Sequence, residues 1–443
     1  MRMAVELLPR WRRAGTLLRR PFGSLARELE EYDRDDPTRT SLLASIMAAW
    51  CASLSLARPL EAGLFSAAAF VAIYRLPATL RVVVALLRTP VALLVVAYLA
   101  LTAGATMLST SGWTWSDAMP KRMFVVPLLL APVLPRWRLL IAGLVAGGLI
   151  STCYLAVAAL LARGPWNSLP REPADGATVP IACAVVVGLA ALSSSSWRVR
   201  VGGPLAAAAA LSMQAQASMR AAVAGSLAGA ATLLLVTRGR TRWTLAAILA
   251  VVAAMARGAS LVLGGLARES MPREGVRREY SSLNTLSSNR LELWRLTLAA
   301  AKDHPLIGHG RKSWRGDIDT LRPSDGAIDP YAQQIWTFRG LAYGHNTPID
   351  VLYQSGAVGL ALLSAAAALV LRAAWNARGL SPCAALVLPL VVSAFAVAQF
   401  DFVFERSIPG AWLLTCACLA FAPALSRGNA PRGVDARLER ALS

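Results

Sequence analysis

Apolar runs approaching membrane length follow one another from residue 42 to residue 425, and one long hydrophilic stretch, roughly Ala267 to Asn346, interrupts the series. Lipid cannot satisfy a bare N–H or C=O, so runs of this kind fold as helices whose backbone bonds are internal. Twelve candidate spans can be drawn, near 42–57, 61–76, 89–108, 122–135, 138–162, 179–195, 200–217, 220–236, 243–266, 347–373, 382–400 and 408–425. The expected fold class is an all-α integral membrane protein with about twelve transmembrane helices and one large helical extracytoplasmic loop. Its parts are a basic cytoplasmic amphipathic arm (1–41), transmembrane helices 1–9 (42–266), the loop (267–346), transmembrane helices 10–12 (347–425) and a cytoplasmic tail (426–443).

Charge orients this plan. The chain is 56% hydrophobic with mean hydropathy +0.50, yet its formal net charge is +20. The arginines stand between apolar runs and no solvated basic domain exists, which argues for topology signals and membrane lipids as partners, with no nucleic acid. With the N-terminus inside, twenty-five Lys and Arg fall in inside segments and seven in short outside loops. Both ends are therefore expected inside and the long loop outside. The arm, with Trp11, Leu17, Leu18 and Phe22 among arginines, is expected on the cytoplasmic membrane surface; it precedes the first apolar run by too much for a cleavable signal peptide. All six cysteines lie in or beside apolar runs, so buried small hydrophobes are expected rather than disulfides or a zinc site.

The hydrophilic stretch holds all three histidines, His304, His309 and His345. GHNTPIDVLYQSGAVGL contains a helix start, with Thr347 as cap, Pro348 in the first helical position and Asp350 three residues after the cap. His345 and Asn346 then stand at the positive end of a helix, which favours an anion and keeps an imidazole neutral and able to accept a proton. The bland alternative is a hydrogen-bonded turn histidine. SSNRLELWRLTLAAAKDHP reads as an amphipathic helix capped by Ser287 or Ser288, with Leu291, Trp294 and Leu298 on one face. Arg290 falls in its first turn, where a cation opposes the helix dipole unless an anion is bound there; otherwise it is an exposed side chain reaching solvent. Arg220 begins an earlier span from the same side as the loop, after the polar Ser212, Gln214, Gln216 and Ser218. Gly308 and Gly310 predict a tight turn after Asp303, His304 and Pro305. His304 and His309 have no Cys or clear carboxylate partner in sequence, so no metal and no cofactor are expected.

NRLELWRLTLAAAKDHPLIGHG followed by GHNTPIDVLYQSGAVGLALL resembles the signature of the O-antigen ligase and polymerase superfamily, over roughly residues 212 to 375. The resemblance rests on Arg-x-x-x-Trp, His-Pro-Leu-x-Gly-x-Gly and Gly-His-Asn in this order. That family also places an arginine at the non-cytoplasmic start of an earlier span, in a Ser-Arg-Gly-like motif. Here Ser218-Met219-Arg220-Ala221 takes that place, with an inserted Met and no Gly, whereas Thr237-Arg238-Gly239-Arg240 is closer in letters but lies on the opposite face.

The resemblance implies a GT-C-like glycosyltransferase of the bacterial inner membrane, with its site facing the periplasm. It implies an O-antigen ligase moving polysaccharide from an undecaprenyl diphosphate donor to a lipid A-core acceptor. His345 is expected as the general base, with Arg290 and Arg220 holding the diphosphate, in a metal-independent single displacement that inverts the anomeric carbon. Asn346, Lys312, Arg315, Arg339 and Tyr343 are candidates for substrate binding; the loop cations also have a simpler role in keeping the loop soluble. Trp314 is a candidate for stacking on sugars, or an interfacial anchor. An O-antigen polymerase or a protein O-oligosaccharyltransferase of the same superfamily is the nearer alternative. A twelve-span transporter is the distant one, since internal repeats are not evident and midmembrane ionisable groups are few.

Overall fold

The computed structural model of the chain describes residues 22–53, 58–108, 121–161, 171–216, 219–237, 239–250, 290–311, 314, 317, 320, 344–400 and 407–425. Every regular element among the described residues is helical. In order these are α1 (22–35), α2 (Pro37–Ser53), α3 (Arg58–Tyr74), α4 (Leu76–Leu87), α5 (Pro90–Leu108), α6 (Lys121–Leu130), α7 (Trp137–Leu161), α8 (Arg171–Ala190), α9 (Trp197–Gln216), α10 (Arg220–Val236) and α11 (240–250). Beyond the hydrophilic stretch's own α12 (Arg290–Ala300) come α13 (Thr347–Ala377), α14 (Val387–Ala398) and α15 (Ser407–Leu419).

Among the described residues, Pro90–Leu108, Val126–Ala158 and Thr347–Ala377 are long and apolar enough to cross a membrane, and a fourth span results if Ala62–Tyr74 and Leu76–Leu87 are taken together. Thr178–Ser193, Ala221–Val236, Pro382–Ala398 and Leu413–Leu425 are apolar but shorter. The described residues are thus all-α, with the several apolar helices that a multi-pass membrane protein has. The expected span 243–266 runs out of the described residues after 250.

Two connectors differ from the sequence reading. Residues 75–88, which fall between the expected second and third spans, contain α4, bent by 100° from α3. Arg75 fixes the corner by donating to the Tyr32 carbonyl at 2.8 Å and to Thr40 Oγ1 at 3.2 Å, while its guanidinium lies over the Tyr32 ring. The apolar runs 122–135 and 138–162 are joined directly by a 3-10 turn, Ala131–Arg136, in which Pro132 and Pro135 withhold backbone donors. Arg136 of that turn pairs with Asp33 of α1 at 3.1 Å, so an ion pair stands at the junction inside the apolar stretch Val126–Ala158. α1 itself docks on the bundle: Leu25, Leu29 and Tyr32 are buried at helical spacing and Phe22 stacks on Phe421. Trp11, Leu17 and Leu18 lie outside the described residues.

Small residues set the helix spacing. α7 meets α2 and α8, and α8 also packs on α9 and α10. A Cβ added at Gly143 would lie 2.4 Å from the Ala48 carbonyl oxygen, and one at Gly148 2.2 Å from that of Pro180. Backbones approach this closely where side-chain bulk is absent, and packing contacts then hold the helices in place of a hydrophobic drive that lipid does not supply.

α13 is broken. Gly356 has φ +62 and ψ −168, so the helix is two pieces that share an axis region but not a ladder. The freed main-chain groups are taken up by the HPLIGHG segment: Ala357 N–H donates to the Pro305 carbonyl (2.8 Å) and Val358 N–H to Leu306 (3.2 Å). In return His309 N–H donates to Tyr353 (2.9 Å) and Gly310 N–H to Gln354 (3.0 Å). Gly308 (φ +74) and Gly310 (φ +78) let the segment fit against α13 and α5; a Cβ at Gly308 would sit 2.4 Å from the Gln354 carbonyl carbon. Arg311 N–H then donates to Thr106 Oγ1 at 2.9 Å, and Thr102 and Ser355 hydroxyls meet at 2.7 Å, so α5 is stitched to the same break.

A Cβ at Gly356 would lie 2.1 Å from the Leu306 carbonyl carbon, in a backbone region that L side chains rarely adopt. Gly356→Ala is therefore expected to cost at least about 3 kcal/mol. Thermal unfolding of the detergent-solubilised protein measures this, with Gly379→Ala, whose added Cβ meets nothing within 4 Å, as the near-neutral comparison.

Candidate active site

His345 precedes α13 and is half-buried, with φ +57, the one positive φ at a non-glycine position among the described residues. The helix cap is Asn346, not Thr347. Asn346 has the extended φ/ψ of a cap and its Oδ1 accepts from Ile349 N–H at 3.0 Å, while Thr347 is already the first helical residue. An amide can cap and still donate through its nitrogen, and here Nδ2 reaches the Gln399 carbonyl at 2.7 Å. A hydroxyl at this position would lack the reach. Both polar ends of the Asn346 side chain are therefore engaged with the protein. Asp350 is buried, and its two oxygens accept from the main chain around His345, from Gly344 N–H at 2.6 Å and Asn346 N–H at 3.0 Å.

Arg290 is the first residue of α12, and its guanidinium donates to the Phe400 carbonyl. Asn346 and Arg290 thus bind two successive carbonyls just past the end of α14, where a helix carries its partial negative charge. α12 packs on α13 through Leu293, Leu296 and Ala300, clustered with Tyr353 and Trp314. The expected stripe of Leu291, Trp294 and Leu298 is centred on the other side of the helix: Leu298 is exposed, while Trp294 packs partly against the same cluster. The helix is apolar on two sides, and the neighbour that is present decides which side is buried. Trp314 is buried and donates to Thr297 Oγ1 at 2.9 Å, so it is a packing residue rather than a sugar platform or an interfacial anchor.

Arg220 is the first residue of α10, and its backbone position follows from the register of α10 against α14. An added Cβ at Gly225 would meet Val397 Cγ2 (2.6 Å) and the Ser393 carbonyl oxygen (2.9 Å), whereas one at Gly229 would meet Ser393 Cβ (3.0 Å) and the Pro389 carbonyl oxygen (3.1 Å). Rising numbers on α10 meet falling numbers on α14, so the two helices are antiparallel. Arg220, about 7–8 Å up the helix from Gly225, is level with the end of α14. Gly239 and Arg240 are at the far end of α10, about 25 Å away, and Arg238 lies outside the described residues. The starts of α10 and α12 and the residue before α13 therefore gather at Gln399 and Phe400. A buried pair, Gln214 Nε2 to Ser226 Oγ at 3.0 Å, ties α9 to α10 beside this end.

Lys312, Arg315, Arg339 and Tyr343 lie outside the described residues. His309, expected to lack a carboxylate partner, has one: Nδ1 is 2.8 Å from Asp317 Oδ2, Nε2 is 2.9 Å from the Ala300 carbonyl oxygen, and the ring stacks on Tyr353. Tyr353 Oη donates to the same Asp317 oxygen. Nothing local in the sequence couples positions 309, 317 and 353. The expected capping box from Thr347 to Asp350 is not formed: with Asn346 as cap, Asp350 stands four residues on, and its carboxylate accepts from Asn346 and Gly344 N–H instead.

Asn346→Ala removes the cap and the Gln399 tether together, and Asn346→Ser keeps a capping oxygen but loses the tether. The alanine variant is expected to be less stable than the serine variant by about 1 kcal/mol, read by thermal unfolding in detergent.

A comparison with curated proteins gives no match. Residues 205–364 match the protein family described as O-antigen ligase, a stretch that takes in Arg220, Arg290 and His345 together with the broken first part of α13. The match supports a likeness of residues 205–364 to the O-antigen ligase and polymerase superfamily, whose members are glycosyltransferase-like ligases and polymerases.

Proposed function

We propose that this protein is an O-antigen ligase, transferring polysaccharide from undecaprenyl diphosphate to lipid A-core at the periplasmic side of the bacterial inner membrane. The observation that carries the reading is the convergence of the starts of α10 and α12 and of His345 on the end of α14, inside the matched residues. In this reading the architecture is a GT-C-like bundle of about twelve spans.

The acceptor hydroxyl oxygen attacks the anomeric carbon of the donor sugar as the bond from that carbon to the phosphate oxygen breaks. His345 takes the hydroxyl proton, and undecaprenyl diphosphate departs with the bonding electrons. A single displacement inverts the anomeric configuration. Negative charge grows on the departing oxygen, and the guanidinium groups of Arg220 and Arg290 supply forked, permanently charged donors to it without a divalent ion. Arg290 then exchanges the Phe400 carbonyl for a phosphate oxygen, a stronger acceptor. Lys312, Arg315, Arg339 and Tyr343 contribute substrate contacts, whereas Asn346, whose amide is bonded to Ile349 N–H and the Gln399 carbonyl, holds the backbone beside His345.

The test is transfer by the purified full chain from undecaprenyl diphosphate-linked glycan to lipid A-core, with EDTA present. The native protein is expected to form conjugate. His345→Ala is expected to lose about 10²- to 10⁴-fold in kcat, and Arg290→Lys, which keeps the charge but not the fork, at least about 10-fold. Full activity of His345→Ala removes the base assignment, and loss of native activity in EDTA requires a metal. Longer free glycan beside unmodified lipid A-core moves the assignment to a polymerase.

The orientation is tested separately. In a cysteine-free background, His304→Cys, at an exposed position, is expected to react with a membrane-impermeant maleimide from the periplasm, and Arg240→Cys, also exposed, only after permeabilisation. The reverse pattern excludes a periplasmic site.

A further inference from the structure

We infer that Asp350 is the positioning residue of His345, its carboxylate clamping the main chain on both sides of the histidine and so fixing where the imidazole points. The role rests on the glycosyl-transfer reading of the site. Asp350 is 1% exposed, and its oxygens are directed at the N–H groups of Gly344 (2.6 Å) and Asn346 (3.0 Å), the residues that flank His345.

The geometry exceeds what starting a helix requires. Asn346 Oδ1 already caps α13 through Ile349 N–H. A capping box returns one bond, to the cap residue's own N–H, from the third residue after the cap; Asp350, the fourth, makes that bond here. Its second and shorter bond, to Gly344, reaches two residues further back and does nothing for the helix ladder. What lies between the two bonds is His345 in a left-handed conformation (φ +57) that a side chain with a Cβ avoids unless its surroundings impose it.

The clamp also sets His345 against the arginine. Gly344 leaves no room for a Cβ, which would stand 2.8 Å from Thr297 Oγ1 and 3.1 Å from Asp350 Oδ1. Thr297 belongs to α12, the helix that begins with Arg290. Gly344 is thus pinned between the carboxylate and the α12 surface, and Asn346 is held on Gln399 beside the carbonyl that Arg290 contacts. Loosening the clamp moves the base relative to the guanidinium while leaving both side chains present. A misplacement of about 1 Å at a reacting group is enough to lower a rate by about 100-fold.

The experiment measures kcat and KM for the undecaprenyl diphosphate-linked donor in the same transfer assay, using purified native protein, Asp350→Asn, Asp350→Glu, His345→Ala and the double variant Asp350→Asn/His345→Ala. Asp350→Asn replaces one acceptor oxygen by a donor facing an N–H. It is expected to lower kcat by about 100-fold with KM changed by less than about two-fold, because the base is displaced while donor binding is kept. Asp350→Glu retains both oxygens and is expected to recover part of the loss. Adding Asp350→Asn to His345→Ala is expected to cost nothing further, since a positioning residue acts only through the group it positions.

Hydrogen exchange over residues 344–346 is expected to rise in Asp350→Asn while α10 and α14 keep their protection. If the asparagine variant does not fold, the glutamate variant, alone and with His345→Ala, carries the same kcat against KM comparison. Native kcat in Asp350→Asn, or an additive loss in the double variant, overturns the positioning role. His345→Ala with native kcat overturns the base assignment and the positioning role with it, whereas an inactive His345→Ala beside a fully active Asp350→Asn overturns the positioning role alone.

Discussion

A helix that breaks within a membrane protein exposes main-chain groups that lipid cannot satisfy, and the structure at Gly356 depends on meeting that requirement with protein. The four main-chain bonds between 305–310 and 353–358 meet it, and they do so only because Gly308, Gly310 and Gly356 allow backbone to lie on backbone. The HPLIGHG segment is consequently a structural graft into α13, not a free loop. It follows α12 directly, so the helix that begins with Arg290 and the helix that follows His345 are joined within one small unit. The His309, Asp317 and Tyr353 cluster and the Trp314 to Thr297 bond close that unit on its far side.

The end of α14 is the second organising point. Its last carbonyls carry partial negative charge, and they draw an arginine and an amide from two other helices. Arg290 stands at the start of its own helix, where the dipole is unfavourable to a cation, and the Phe400 carbonyl offsets that penalty. Glycines on α10 bring the third helix against α14 in antiparallel register and so carry the backbone of Arg220 to the same level. Arg220 and Arg290 are each the first residue of a helix, so two helix starts lie at this end of the bundle.

Much of this was legible in the chain. The apolar runs announced helices, the Thr-Pro-x-Asp spacing announced the start of α13, and paired glycines announced the turn at 308–310. Sequence is least decisive where two residues compete for one role or one helix offers two faces. Thr347 and Asn346 are both capable caps, and the nearby Gln399 carbonyl selects the amide. Leu291, Trp294 and Leu298 are as good a stripe as Leu293, Leu296 and Ala300 until Tyr353 and Trp314 arrive on one side. Asp317 has no local relation to His309 that spacing alone reveals.

Sequence by itself determined the all-helical class, the membrane setting and the three residues that resemble a known site, because hydropathy, helix capping and motif order are properties of neighbouring residues. Only the tertiary structure decided that Arg220, Arg290 and His345 share one end of the bundle and that Asp350 clamps the backbone around the histidine. Those facts depend on which distant backbones can approach, and that is set by glycines and carbonyls whose partners lie tens to hundreds of positions away.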